Sequence, residues 1–267
     1  YNADYATTDI QEVLNDPDVD LVMITTRHDN HGTLTLNSLK AGKHVFVEKP
    51  LCINRQELAD IKAFYKESDQ PPLLMVGFNR RFSPYAKEIK KHESQKVNPI
   101  VAHYRMNAGH IPLDHWTHDH GGRIVGEACH LIDLMNYFTG ASIESISTEH
   151  ITPTTEKISK HDNRSIVLKY VDGSICHIQY FAVGSKQLSK EFLEIHFDET
   201  SMILDNYKKL SAYGFSCKEV SSSISNKGQF EELNALYECL KGDGRWPISL
   251  DDMVQTTLAS FEVEEID

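Results

Sequence analysis

In this 267-residue chain, the residues best suited by type and spacing to chemistry are Glu48 and Lys49, set between the apolar run Val45-Phe46-Val47 and Pro50. An unbroken β-type run following Gly42 reads as a buried strand, which puts the charged pair at its carboxyl end, where ligands sit in open α/β sheets. Pro50 restricts the backbone of the residue before it, so Lys49 is held for proton exchange with a ligand rather than for solubility. A solvated pair at a loop tip is the plainer alternative. A second candidate is His130, followed at three residues by Asp133. Leu131, Leu134, Met135 and Phe138 recur around them at helical spacing, and Gly140 closes the run. At about 100° per residue, His130 falls at one margin of this stripe and Asp133 beyond it, toward a cleft. A polar boundary residue bonded to a neighbour is the competing reading of His130.

These side chains must be carried by particular elements. Residues 20–26 read as another buried strand, ending in Thr25 and Thr26 and a polar turn that runs to His31; residues 73–78 form a third, ending in Asn79, Arg80 and Arg81. A helix over 33–41 joins the first two strands. The next connection is a helix opened by an Asn54/Glu57 capping box, with Leu58, Ile61 and Tyr65 on one face. Strands alternating with helices through short links imply a right-handed parallel sheet whose polar strand ends share one edge. Thr25, Thr26, His31, Glu48, Lys49, Asn79 and Arg80 therefore converge. Beyond Ser83-Pro84, which caps and opens a helix, strands are expected over 100–107, 143–152, 164–171, 174–183, 191–197 and 201–205, with an Asp172-Gly173 hairpin. A helix over 229–240 places Phe230, Leu233, Tyr237 and Leu240 on one face, and a last helix capped by Ser249 would turn Val254, Leu258 and Phe261 inward. The expected fold is α/β: a partial doubly wound parallel (Rossmann) sheet over residues 1–80, then an α+β domain over 81–267 with a mainly antiparallel open sheet.

A formal net charge of -12 argues against nucleic acid or an anionic membrane as partner. No apolar run is long enough to cross a bilayer. The five cysteines lie scattered without a Cys-x-x-Cys pair, as reduced thiols of a cytoplasmic protein would. Cys129 reads as a small buried residue, since neighbours on a helix point about 100° apart. His110, Asp114, His115, His118, Asp119 and His120 fall in a loop, and no metal is expected there. A sheet with one face free of helices suits a homo-oligomer. A complete dinucleotide domain would open with a strand and a Gly-rich turn, and would place an acidic residue after its second strand. None of these is found here, so the sequence reads as a fragment lacking the first strands of such a domain.

Ile24-Thr25-Thr26 with His31, then Glu48-Lys49-Pro50, then Gly77-Phe78-Asn79-Arg80-Arg81-Phe82, then Gly121-Gly122 leading to His130 and Asp133, together resemble the Gfo/Idh/MocA family of NAD(P)-dependent oxidoreductases. Asn107-Ala108-Gly109, His115-Trp116 and the run from Gly121 to His130 look like a subgroup linked to polysaccharide biosynthesis, whose members include bi-domain oxidoreductases. The resemblance implies NAD or NADP as cofactor, with Thr25, Thr26, His31, Glu48 and Lys49 on its side and Asn79 and Arg80 near the nicotinamide. Of Arg80 and Arg81, one is expected to face inward. It implies His130 as acid or base and Asp133 as a substrate-holding residue, with His115 or Trp116 lining the substrate pocket. The sequence departs from the family at Gly126, where an Asp would precede His130 by four residues. Glu127 is rotated by about 100° toward the apolar stripe and needs a partner there, such as Arg123, Lys49 or a ligand hydroxyl. On this reading Glu127 supports the site, while Lys49 and His130 share proton transfer as a hydride moves between the nicotinamide and a carbohydrate, nucleotide-sugar or polyol. Two alternatives remain open: glycoside cleavage through transient oxidation on a retained NAD, and a non-catalytic assembly or regulatory module.

Overall fold

The computed structural model describes residues 3–217, 220–243 and 245–266. Asp9 caps helix α1 (Ile10–Asn15) by accepting from the Gln11 amide, and strand β1 (Leu21–Ile24) follows. The chain then makes a 3-10 turn at His28–Asn30 and runs directly into α2 (His31–Lys40), two residues earlier than the apolar spacing suggests. Both His28 and His31 thus lie in the elbow at the carboxyl end of β1. Strand β2 (His44–Val47), helix α3 (Arg55–Glu67) and strand β3 (Leu74–Val76) complete a three-stranded parallel sheet ordered β1-β2-β3. Asn54 caps α3 through the Glu57 amide at 2.9 Å, and Leu58 and Ile61 are buried.

A 3-10 turn (Asn79–Phe82) leads to α4 (Pro84–Glu93), capped by the Ser83 hydroxyl, and then to β4 (Val101–Asn107). A short helix α5 (Trp116–Asp119) precedes a π-helical turn (Ile124–Ala128) that continues into α6 (Cys129–Thr139). Strands β5 (Ile143–His150), β6 (Arg164–Tyr170), β7 (Ile175–Phe181), β8 (Glu191–Phe197), β9 (Thr200–Asp205), β10 (Lys209–Tyr213) and β11 (Val220–Ser221) follow, then α7 (Gln229–Glu238) and α8 (Leu250–Glu265). The second sheet has the order β11-β10-β9-β8-β4-β7-β6-β5 and is antiparallel except between β4 and β7. β10 and β11 were not anticipated. The turn before β10 uses Asn206 (φ 51°) and Tyr207 (φ 54°), a left-handed pair without glycine. Tyr207 keeps that conformation because its ring is buried and its hydroxyl lies 2.9 Å from that of Tyr104.

One face of this sheet joins α4, α6 and residues Ala259 and Val263 of α8 in a single core. The other face, carrying His103, Arg105, His177 and Phe192, is half-exposed, and is the surface the sequence reading offers for self-association. A second core forms around the parallel sheet and draws in Val125, Cys129, Leu236, Met253 and Phe261, so residues 81–267 contribute to both cores. The apolar stripe of helix α7 faces outward: Phe230 is 79 % exposed and Tyr237 53 %, while Glu232 and Leu236 turn inward. Its rotation is fixed at its start by Gly228 (φ 89°), which packs so closely on the Asn79–Phe82 turn that an ideal Cβ would lie 2.4 Å from Ser83 N. Among the described residues no helix is long and apolar enough to cross a membrane.

Candidate active site

The carboxyl end of β2 and the π-helical turn meet at a cavity of about 210 Å3, lined by His28, Lys49, His115, Trp116, Arg123 and Glu127 among others. Lys49 Nζ donates to the Gly126 carbonyl at 2.7 Å, which holds the ammonium at the cavity wall. Glu127 accepts from Arg123 Nη2 (2.9 Å), the Tyr180 hydroxyl (2.6 Å) and Lys190 Nζ (2.7 Å). Burial alone would push this carboxyl up, but Lys190, Tyr180 and Arg123 outweigh it and hold the pKa at about 2. Glu127 is therefore a fixed anion near neutral pH, an acceptor rather than an acid or base. The wider π turn carries it toward Tyr180 and Lys190 instead of the apolar stripe of α6, and of its anticipated partners it takes Arg123 and not Lys49. His28 Nδ1 lies 3.3 Å from the His120 carbonyl, and the ring meets Trp116 edge-on with centroids 4.9 Å apart. Burial, then the Lys49 charge, lower the His28 pKa to about 4. His115 caps α5, its Nδ1 accepting from the Thr117 amide at 3.3 Å.

On the cofactor side, Thr25 and Thr26 are exposed beyond β1, and Glu48 is half-buried beside Gly77, where an ideal Cβ would approach Glu48 Oε2 to 3.1 Å. These hydroxyls and the Glu48 and Lys49 side chains leave a polar edge at the carboxyl end of the parallel strands, where open α/β sheets hold their ligands. Among the described residues there is no Gly-rich pyrophosphate turn. His31 is buried, its ring nitrogens 2.7 Å from the Pro50 carbonyl and 3.1 Å from that of Thr26. It clasps the two loops together rather than reaching a ligand. Asn79 is also tied internally, donating to the Lys227 carbonyl at 2.9 Å.

Four further expectations are corrected. Arg80 does not reach toward a cofactor: it is buried in a two-pronged pair with Glu191 at 2.8 and 3.0 Å. Arg81 is buried too, because it has its own carboxylates, Asp133 through Nε at 3.0 Å and through Nη2, and Asp252 at 3.0 Å. Asp133 is fully covered, so it locks Arg81 and presents no oxygen to a substrate. His130 is absent from the lining of the cavity that Lys49 borders. It is buried, with Phe78 edge-on at 6.2 Å and Nδ1 without a hydrogen-bond partner; burial, then Arg80 and Lys49, keep it neutral. Cys129 is buried and its thiol is pushed up to about 12 by desolvation. Among the described residues no cluster of three His, Cys, Asp or Glu could hold a metal. Sequence reasoning missed His28, Tyr180 and Lys190. His28 carried a signal, as part of a polar turn at a strand's carboxyl end; Tyr180 and Lys190 lie 53 and 63 residues from Glu127, beyond any local spacing.

Comparison with known proteins is decisive on kinship. A profile described as the oxidoreductase family with NAD-binding Rossmann fold matches residues 1–78, and one for the GFO/IDH/MocA C-terminal domain matches residues 89–203. The chain belongs to the Gfo/Idh/MocA family. Its relatives include myo-inositol 2-dehydrogenase of Thermotoga maritima, 29 % identical over 177 residues, covering 64 % of this chain and 52 % of the relative. Another is the NAD(+) scyllo-inositol 2-dehydrogenase of Bacillus subtilis, 32 % identical over 142 residues, covering 52 % and 41 %. The chain spans about half the length of the curated relatives it matches. The same Gfo/Idh/MocA fold is seen in an NAD-binding oxidoreductase from Klebsiella pneumoniae (TM-score 0.81, 19 % identity, covering 96 % of this chain and 80 % of that one). It recurs in levoglucosan dehydrogenase complexed with NADH and levoglucosan (TM-score 0.80, 19 % identity, covering 97 % and 80 %).

Proposed function

We propose that the protein carrying this chain is an NAD(P)-dependent oxidoreductase that moves a hydride between the nicotinamide and a ring hydroxyl of a cyclic polyol or carbohydrate. The observation that carries this reading is the cavity in which Lys49, from the dinucleotide-type sheet, shares walls with Trp116 and Glu127 from the second half. The two relatives named above, dehydrogenases of myo- and scyllo-inositol, support the same substrate class. A bound nicotinamide would supply the hydride acceptor. Lys49, anchored on the Gly126 carbonyl at a strand end, exchanges the proton of the reacting hydroxyl. Glu127, kept ionised by its three donors, accepts a hydrogen bond from another hydroxyl and fixes the ring's orientation. Trp116 offers an apolar face to the ring's C–H groups. His130, buried, neutral and outside the lining of this cavity, takes no part in this proton exchange.

The test is NADH formation by the intact protein on a panel of inositols and monosaccharides. Lys49→Met should lower kcat by about 10²-fold or more, the range typical of a lost acid-base group, while the thermal midpoint stays close to wild type. Unchanged kcat in that variant contradicts the assignment. NADH that accumulates in step with product also separates this chemistry from glycoside cleavage on a retained cofactor, which shows no net reduction.

A further inference from the structure

We infer that His28 is a substrate-contacting specificity residue, whose imidazole accepts a hydrogen bond from one hydroxyl of a cyclic polyol seated between Lys49 and Trp116. This rests on the reading of the cavity as a polyol site. A carbonyl can only accept, so the contact of Nδ1 with the His120 oxygen puts the ring proton on Nδ1 and leaves Nε2 with its lone pair. Among the described residues Nε2 has no hydrogen-bond partner. The ring is fixed in three ways: by that bond, by the edge-on contact with Trp116, and by the backbone of Gly126. An ideal Cβ at residue 126 would lie 2.6 Å from His28 Cε1 and 3.1 Å from Nδ1, so the imidazole occupies the space a side chain at that position would need. A polar ring fixed on three sides, with one unpaired acceptor and set in the lining of a cavity that an ammonium and an indole also border, is organised before any ligand arrives. Its neutrality fits the role, since an imidazolium would have no acceptor to offer.

The consequence is discrimination by hydroxyl position. A site that pairs with a substrate hydroxyl penalises the analogue that lacks it, because the polar group is then left without a partner. The experiment measures kcat and KM of the intact wild-type protein on the best polyol of the inositol panel and on its mono-deoxy analogues, then repeats the set with His28→Ala and His28→Gln. One deoxy analogue should lose about tenfold in kcat/KM with wild type, the size of one hydrogen bond, mostly through KM. His28→Ala should lose a similar factor on the parent polyol and show no further loss on that analogue. His28→Gln, which keeps an acceptor oxygen, should recover part of the discrimination and serves if the alanine variant folds poorly. As a packing control, Gly126→Ala should lower the thermal midpoint and Gly126→Ala/His28→Ala should restore it, with KM still raised. Equal losses on every analogue, or losses that follow the thermal midpoint, make His28 a packing residue and overturn the inference. Wild-type turnover with unchanged discrimination in His28→Ala overturns the inference alone. Absence of turnover on every polyol removes the functional reading, and the inference with it.

Discussion

Glu127 and Glu191 receive the same set of partners and end in opposite situations. Each carboxylate accepts from one arginine, one tyrosine hydroxyl and one lysine: Arg123, Tyr180 and Lys190 for Glu127, and Arg80, Tyr104 and Lys227 for Glu191. Both are held below the ordinary carboxylate range by their cations against the opposing effect of burial, Glu191 the further. The difference is access. The Glu191 side chain is 1 % exposed and sealed between the second sheet and the Asn79–Phe82 turn, whereas that of Glu127 is 23 % exposed and lines the Lys49 cavity. Identity of partners thus makes an anion permanent, and surface decides whether a ligand can use it.

The comparison breaks most readily at the sealed end. Glu191→Ala should cost about 3–5 kcal/mol in urea unfolding, because Arg80 is left buried without its counter-charge. Glu127→Gln should cost less, about 1–3 kcal/mol, since the amide retains part of the network and water reaches the rest. The same variant should lower kcat/KM on the preferred polyol. Equal stability losses in the two variants would mean that exposure makes no difference. The smallest effect is in the pH dependence. A carboxyl whose folded pKa is depressed contributes stability that is complete above its unfolded value near 4.3 and is lost as pH falls through the folded value. The stability gap between wild type and Glu127→Gln should therefore be constant above about pH 5 and close as pH approaches 2. A gap that widens toward acid would reverse the sign.

Much of the framework was legible because it is local. The Glu48-Lys49 pair at the end of β2 and the Asn54 cap of α3 depend on a few adjacent residues, as does Gly140 closing α6. Partner choice was not local. Arg80 and Glu191 are 111 residues apart, Arg81 and Asp133 52 apart, and only the assembled fold tells a sealed arginine from a ligand-facing one. Helical spacing correctly grouped Phe230, Leu233 and Tyr237 on one face of α7, yet spacing carries no information on which face is inward; the tight approach at Gly228 decided that. The strands after Asp205 were hidden because Asn206-Tyr207 makes a left-handed turn without the glycine that usually announces one.

A crystal structure of the intact protein with its dinucleotide and the preferred polyol measures the role of the Lys49 cavity most directly. The expected result is a ring hydroxyl oxygen within about 3.2 Å of Lys49 Nζ, with the polyol ring against Trp116 and a second hydroxyl on Glu127. A polyol bound instead in the larger groove of about 510 Å3 formed by Asn107, Lys186 and Lys190, with the Lys49 cavity vacant, would contradict it.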